Sequence, residues 1–325
     1  MTMPVRARGL TKRYGDLAAL DSLDLELERG EIFGLIGPNG AGKTTTMRLL
    51  LDIIRPSSGD VQVLGQDPRA GSAELRRRIG YLPGELHLEG RANGRSLLSH
   101  FARISGPVAP GAIELLAKRL GVDLDKPVRK LSKGNKQKVG LIQAFMHQPE
   151  LLVLDEPTGG LDPLVQQEFM ALIEEASKNG QTVLLSSHVL SEIERSADRV
   201  GVLHHGKLVR LGALSDLRLD RRRHVKATLR ASRSDFEERT KELRTSDLRI
   251  EDIPGQGDSL LRLTATTDDV DPVIKLLAEF EVNDLIVSEP VLEDTVLALY
   301  RDRPDDDRAA ETRPEAIDRE ARHDA

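Results

Sequence analysis

The run Gly37-Pro38-Asn39-Gly40-Ala41-Gly42-Lys43-Thr44-Thr45 constrains this chain more than any other part of it. Its spacing fits G-x-x-x-x-G-K-S/T, the phosphate-binding loop. The flanks matter as much as the letters. Glu31-Ile32-Phe33-Gly34-Leu35-Ile36 is a short apolar run of strand character, and Thr46-Met47-Arg48-Leu49-Leu50-Leu51 reads as the first turns of a helix. A strand feeding a glycine loop and a helix N-terminus predicts an α/β fold with a triphosphate at that point. Glycines let backbone N–H groups turn inward and approach phosphates closely. The helix dipole adds positive potential at the same place. In such a site Lys43 bridges the β- and γ-phosphates and the Thr44 hydroxyl takes a place on Mg²⁺. A glycine-rich turn that binds nothing is the competing reading, and the strand–loop–helix context argues against it.

The chain has 325 residues, which suggests about two domains. It has no cysteine, so a disulfide framework and a thiolate metal site are both excluded. The start, Met1-Thr2-Met3-Pro4-Val5-Arg6-Ala7-Arg8, lacks the apolar core of a secretory signal. No stretch approaches the ~18 apolar residues of a membrane span. A formal net charge of -6 argues against a polyanion binder, and aromatics at 3% leave few stacking platforms for single-stranded nucleic acid.

Upstream of the loop, Val5-Arg6-Ala7-Arg8-Gly9-Leu10 and Ser22-Leu23-Asp24-Leu25-Glu26-Leu27 alternate with period two and predict an antiparallel sheet beside the loop's strand. Tyr14 stands where an aromatic ring can stack on adenine. An ordinary half-buried tyrosine at a strand end satisfies the spacing equally well. Pro56-Ser57-Ser58-Gly59-Asp60 reads as a turn before the strand-like Val61-Gln62-Val63-Leu64-Gly65. Arg76-Arg77-Arg78 reads as the solvated end of a helix rather than a nucleic-acid patch. Residues 94–104 and 111–120 carry helical periodicity and predict a mainly helical insert over about 84–147.

Leu131-Ser132-Lys133-Gly134-Asn135-Lys136-Gln137-Lys138-Val139 runs into a helix ending near His147. A Ser before Gly and Asn at a helix start is receptive to anions, and is equally a plain helix cap. Leu151-Leu152-Val153-Leu154-Asp155-Glu156-Pro157-Thr158 is an apolar strand ending in two acids. Such a run is buried on both faces of a parallel sheet, and ligands of open α/β sheets sit at its carboxyl end. Asp155 is placed to hold Mg²⁺ through water. Glu156 is placed to take a proton from the attacking water. Thr182-Val183-Leu184-Leu185-Ser186-Ser187-His188 is a second buried strand, with His188 at its end and a γ-phosphate contact as its reading. The pair His204-His205 sits in a hairpin turn and has no metal role.

Taken in order, these elements resemble the ATP-binding subunit of an ABC transporter over roughly residues 4–215. The phosphate loop, the acidic strand, the loop Gly160-Leu161-Asp162, the switch histidine His188 and a signature at residues 131–135 carry the resemblance. It implies the family's cassette fold: a parallel core sheet, an antiparallel β subdomain and a helical subdomain. It assigns Tyr14 to adenine stacking. It implies ATP and Mg²⁺ as cofactors. Two cassettes would face head to tail as a homodimer, with Ser132, Gly134, Asn135 and Asp162 contributing to the nucleotide of the partner copy. The family signature is Leu-Ser-Gly-Gly-Gln, whereas Lys133 replaces its first Gly here and Asn135 its Gln. The family places Gln after the strand Tyr81-Leu82-Pro83, whereas Gly84 stands here and Glu85 follows, as a possible substitute. Both variations resemble the drug- and antibiotic-exporting, daunorubicin-resistance type of subfamily. The implied function is ATP hydrolysis that powers export through a separate integral membrane permease, at the cytoplasmic face of the plasma membrane. No nucleic acid is implied as partner. A soluble ABC ATPase acting on ribosomes or nucleic acid is the rival, although such proteins usually carry two cassettes or a long coiled-coil insert. A nucleotide-sensing regulator without turnover is a second rival, against which Glu156 and His188 argue.

Beyond a charged junction at residues 218–223, the periodicity predicts strand 224–231, helix 233–244, strands 247–253 and 259–266, helix 269–280 and strand 283–289. The order βαββαβ is that of a small α+β ferredoxin-like domain, over residues 223–301. It resembles the accessory domain of the exporter subfamily. Leu292-Glu293-Asp294-Thr295-Val296-Leu297-Ala298-Leu299-Tyr300 reads as a last amphipathic helix. Residues 302–325, dominated by Asp, Glu, Arg and Ala, have the composition of a disordered tail.

Overall fold

The computed structural model describes residues 3–217, 223–241, 243, 245–253 and 260–288. They form two compact units that divide between Leu214 and Ser215. Most of the charged junction, the turn at 254–258, the helix expected at 292–300 and the tail at 302–325 lie outside the described residues.

The first unit opens with an antiparallel hairpin of β1 (Val5–Tyr14) and β2 (Leu17–Leu27). Both strands run further than their period-two cores. Gly9 and Ser22 take positive φ, +54° and +50°, at the places where the register shifts. Such bulges absorb the break in alternation and let the pairing continue. Fully buried β3 (Ile32–Ile36) leads through the glycine loop into α1 (Lys43–Leu50). Then β4 (Ser58–Val63) pairs antiparallel with β1 to complete the sheet β2-β1-β4. This corrects the turn expected over residues 56–60: the strand already begins at Ser58. Gly59, at φ +85°, sits in a bulge where the β1 register jumps from Arg8 opposite Asp60 to Thr11 opposite Ser58. Glycine in a strand marks a bulge as readily as a turn, and the local sequence does not separate the two.

Next, α2 (Ala73–Arg77) ends in the arginine run, where Arg78 Nε donates to Glu150 Oε1 at 2.6 Å. After β5 (Ile79–Leu82) comes the helical insert of α3 (Gly94–Ser105), α4 (Ala112–Arg119) and α5 (Lys133–Phe145). Asn93 caps α3 by accepting from the Ser96 N–H at 2.8 Å. The chain returns to the core with β6 (Leu151–Asp155), α6 (Pro163–Lys178), β7 (Thr182–Ser187), α7 (Leu190–Ser196), β8 (Arg199–His204), β9 (Lys207–Ala213) and α8 (Leu214–Leu217). The main sheet has the order β5-β6-β7-β3-β8-β9. Its neighbours are parallel except for β9, which pairs antiparallel with β8 across the histidine turn.

That order fixes where the site lies. Ile36 pairs with Ser187, and Asp155 with Ser186. The phosphate loop, Glu156 and His188 therefore leave three adjacent strands at one level, on the carboxyl edge where open α/β sheets bind ligands. Phe33, Leu35, Met47, Leu49, Val153 and Leu184 pack with the leucines of the β1–β2 hairpin in a continuous core under that edge. The edge is thus held by close packing rather than by the loops themselves.

The second unit runs β10 (Arg223–Arg230), α9 (Arg233–Thr240), β11 (Ser246–Asp252), β12 (Leu260–Thr267), α10 (Asp271–Leu277) and β13 (Glu281–Ser288). Its strands form one antiparallel sheet in the order β11-β12-β10-β13. Both helices are shorter than their periodicity suggests. Thr267 Oγ1 donates to the Asp269 carbonyl, and the Asp271 N–H to Asp269 Oδ1, which keeps residues before 271 out of the helix. At the far end the N–H groups of Glu279 and Phe280 bond three residues back, closing α10 with a tight turn. Phe236 is fully buried here and meets Phe280 edge-on at 5.2 Å. Phe236→Ala should cost this unit about 3–5 kcal/mol through lost burial and the cavity left behind. Urea unfolding followed by a probe in the second unit measures it, and a midpoint unchanged from wild type would contradict the packing.

Candidate nucleotide-binding site

The glycine loop turns tightly against the sheet edge. A Cβ at Gly37 would lie 2.4 Å from the Leu203 carbonyl oxygen, so only glycine lets the loop pass there. Gly40, at φ +78°, supplies the sharp bend, and Ala41 N–H donates to the Pro38 carbonyl at 3.1 Å. Gly37 is buried, whereas Pro38, Asn39 and Gly40 face solvent. Lys43, Thr44 and Thr45 form the first turn of α1 with no acid among them, so the helix dipole is left to act on an anion.

Lys43 is 6% exposed. Its Nζ donates to the Gly37 carbonyl at 2.8 Å and the Pro38 carbonyl at 3.3 Å, and lies 3.4 Å from Glu156 Oε1. The loop's cation is thus satisfied from within. An incoming phosphate must exchange with these partners.

Thr44 Oγ1 donates to Asp155 Oδ2 at 2.7 Å, and Ser186 Oγ donates to Asp155 Oδ1 at 2.6 Å. Asp155 is 1% exposed, and each of its carboxyl oxygens accepts from a hydroxyl, as a buried polar group requires. A carboxylate and a hydroxyl that meet at 2.7 Å beside a phosphate loop are hard oxygen donors of the kind Mg²⁺ takes. Together with the glycine cradle, the residues fit a magnesium nucleotide.

Glu156 leaves β6 with φ +48°, an uncommon conformation for a non-glycine residue. The geometry is held from several sides. Glu156 N–H donates to Ser186 Oγ at 3.0 Å, and Gln137 Nε2 on α5 donates to the Pro157 carbonyl at 3.2 Å. The twist brings Glu156 Oε2 onto His188 Nδ1 in a short contact, while Oε1 faces Lys43. Acid, imidazole and amine therefore converge from β6, β7 and the glycine loop.

The other sequence-derived candidates stand apart from this cluster. Tyr14, at the end of β1, is 41% exposed, with Lys12 Nζ 4.7 Å above its ring. Ser132 caps α5 by accepting from the Asn135 N–H at 3.3 Å. A Cβ at Gly134 would lie 2.5 Å from the Gly160 carbonyl oxygen, so the start of α5 is pressed against the loop that follows the acidic strand. Asp162 ends that loop as the cap of α6, accepting from the Val165 N–H at 3.1 Å, and lies 3.7 Å from Lys138 Nζ. The Val165 N–H holds its carboxyl below the usual carboxylate range. Among the described residues no hydrogen bond or ion pair joins Ser132, Gly134, Asn135 or Asp162 to the phosphate loop. Glu85 is exposed. Gly84 lies nearer the centre, where an added Cβ would come 3.1 Å from Asp155 Oδ2.

Sequence reasoning missed Ser186 and Gln137. Both are polar residues in otherwise buried stretches, and their polarity was the one signal available.

The family described as ABC transporter matches residues 20–159. The bacitracin transport ATP-binding protein BcrA of Bacillus licheniformis is 34% identical over 304 residues, which is 92% of this chain and 98% of that protein. The chain belongs to the ABC transporter family. As an ABC cassette it is an ATP-binding subunit, and its family's ATPase is coupled to transport. The probable multidrug ABC transporter ATP-binding protein YbhF of Escherichia coli (strain K12) is 36% identical over 219 residues, 66% of this chain but 38% of that protein. The solved structure of the ATP-binding subunit of an ABC transporter superposes with a TM-score of 0.63 at 30% identity, covering 67% of this chain and 92% of that one. No helix among the described residues is long and apolar enough to cross a membrane.

Proposed function

We propose that this chain hydrolyses ATP to power the export of a drug, antibiotic or lipid-like compound through a separate membrane permease. The observation that carries the reading is the convergence of Lys43, Glu156 and His188 at the phosphate loop. The bacitracin and multidrug relatives support the substrate class. Residues 4–217 form the cassette, with the helical insert at about 84–147, and residues 223–301 a ferredoxin-like accessory domain. The protein works at the inner face of the plasma membrane, held there by the permease.

The residues divide the work. Backbone N–H groups of residues 37–45 cradle the phosphates, and Lys43 exchanges its loop carbonyls for β- and γ-phosphate oxygens. Thr44 and Asp155 would hold Mg²⁺, which when bound offsets negative charge on the phosphates. Lys43 moving onto phosphate leaves the Glu156 carboxylate free to accept the proton of the attacking water. His188, in contact with that carboxylate, orients it and donates toward the γ-phosphate. Tyr14 stacks on adenine. Ser132, Gly134, Asn135 and Asp162, away from this chain's own loop, act on the nucleotide of a second copy in a head-to-tail homodimer. ATP closes that pair and hydrolysis opens it.

The test is affinity purification of the tagged full chain from solubilised native membranes. An integral membrane protein of about six spans is expected to copurify and to stimulate the ATPase in proteoliposomes. Ribosomes or DNA in its place would overturn the export reading.

Glu85 has a separate expectation. If it replaces the missing loop glutamine, Glu85→Ala should weaken stimulation of the ATPase by permease and substrate more than it weakens ATP binding. ATPase rates with and without the reconstituted permease decide this. Stimulation equal to wild type would leave Glu85 as a surface carboxylate after a Pro-Gly turn.

A further inference from the structure

Glu192 lies in the first turn of α7 and is 9% exposed. Neither the phosphate loop nor the acid–imidazole pair touches it. Its Oε2 accepts from Thr158 Oγ1 at 2.8 Å and from Ser187 Oγ at 3.0 Å. Thr158 is 7% exposed and Ser187 1%. Thr158 follows Glu156 by two residues, and Ser187 immediately precedes His188. One buried carboxylate therefore ties together the two chain segments whose side chains meet as the Glu156–His188 pair.

The arrangement is specific in its directions. Ser187 Oγ accepts from the Val189 N–H at 2.9 Å, fixing the turn that carries His188. Its own hydrogen is then free to point at Glu192 Oε2, the nearer acceptor, rather than at the Val189 carbonyl at 3.3 Å. On the other side, Thr158 anchors the chain just beyond Glu156, whose φ of +48° persists only where its surroundings hold it. Both bonds end on the same oxygen, so one side chain fixes the two segments relative to each other. Burying a carboxylate with hydroxyl partners is a poor way to gain stability alone, since apolar packing would serve as well.

We propose that Glu192 is a positioning residue for hydrolysis: it sets the geometry of Glu156 against His188 without contacting nucleotide. The inference rests on the proposed ATPase and on Glu156 as its base. A small misplacement of a reacting group can cost roughly 100-fold in rate.

The experiment uses the full chain with Mg-ATP and compares Glu192→Ala, Glu192→Gln, Thr158→Val and Glu156→Gln. Steady-state turnover is read beside ATP affinity from titration calorimetry. Glu192→Ala is expected to lower kcat roughly tenfold or more while ATP affinity and KM stay within about twofold. Glu192→Gln keeps an acceptor oxygen and should recover most of kcat. Thr158→Val should lower kcat in the same sense, and combined with Glu192→Ala it should add little, because the alanine has already removed the bond that Thr158 makes. Wild-type kcat in Glu192→Ala overturns the proposal. So does a loss of ATP affinity in step with kcat, or a Gln variant no better than Ala. If Glu192→Ala does not fold, the Gln and Thr158→Val pair carries the same decision through its kcat-against-KM split. Glu156→Gln separates the two levels: if it turns over like wild type, the base assignment fails, whereas an inactive Glu156→Gln beside a normal Glu192→Ala removes Glu192 alone.

Discussion

Glu156→Gln binds ATP and scarcely hydrolyses it. The expectation follows from what the substitution keeps. Glutamine has the size of glutamate, so it fits the same pocket at the same φ, and its amide can still meet His188. It cannot accept a proton from water. Loss of a positioned general base typically removes a factor of about 10²–10⁴ in rate. Binding is preserved for a further reason: Glu156 Oε1 lies 3.4 Å from Lys43 Nζ, and neutralising it frees the amine for phosphate. Steady-state turnover should fall by at least that lower factor with ATP affinity equal to or tighter than wild type. In the head-to-tail reading the variant also accumulates as an ATP-bound dimer, seen by size-exclusion chromatography. Turnover equal to wild type would move the base role to Glu85 or His188.

Lys43→Ala loses tight ATP binding. The Nζ is buried among the Gly37 and Pro38 carbonyls and Glu156, and among the described residues no second lysine or arginine pairs with Glu156 there. Hydrogen bonds to charged groups contribute about 1.5–3 kcal/mol each. Losing contacts to both phosphates predicts a roughly 100-fold or larger rise in Kd. Titration calorimetry measures it, with a thermal melt as control that the cassette still folds. The control matters, because the alanine also leaves Glu156 without its counter-charge. Affinity near wild type in a folded variant would remove the phosphate-loop assignment.

What the chain's order of residues determined by itself was everything that a short window carries. The strand, glycine loop and helix around Lys43 are contiguous, and glycine spacing, apolar runs and a helix start are local properties. The acidic end of β6 and the histidine after β7 were legible for the same reason, each as a buried run that stops at a polar residue. The βαββαβ sequence of elements in the second unit also came from periodicity, although its helix ends did not, since side-chain turns at Asp269 compete with the helix there. At Gly59, local chemistry is compatible with both a turn and a bulge, and pairing with β1 chose the bulge.

Only the tertiary structure decided which side chains meet. Ser186 relays between Asp155 and the Glu156 N–H across neighbouring strands, Gln137 reaches the Pro157 carbonyl from the helical insert, and Glu192 joins Thr158 to Ser187. The strand order that sets β7 between β6 and β3 is equally absent from any window. The reason is physical. A helix or strand is selected by neighbours a few residues away, whereas a buried polar group needs a partner wherever the packed chain provides one. That partner is specified by the sheet's order and register, which the whole core determines.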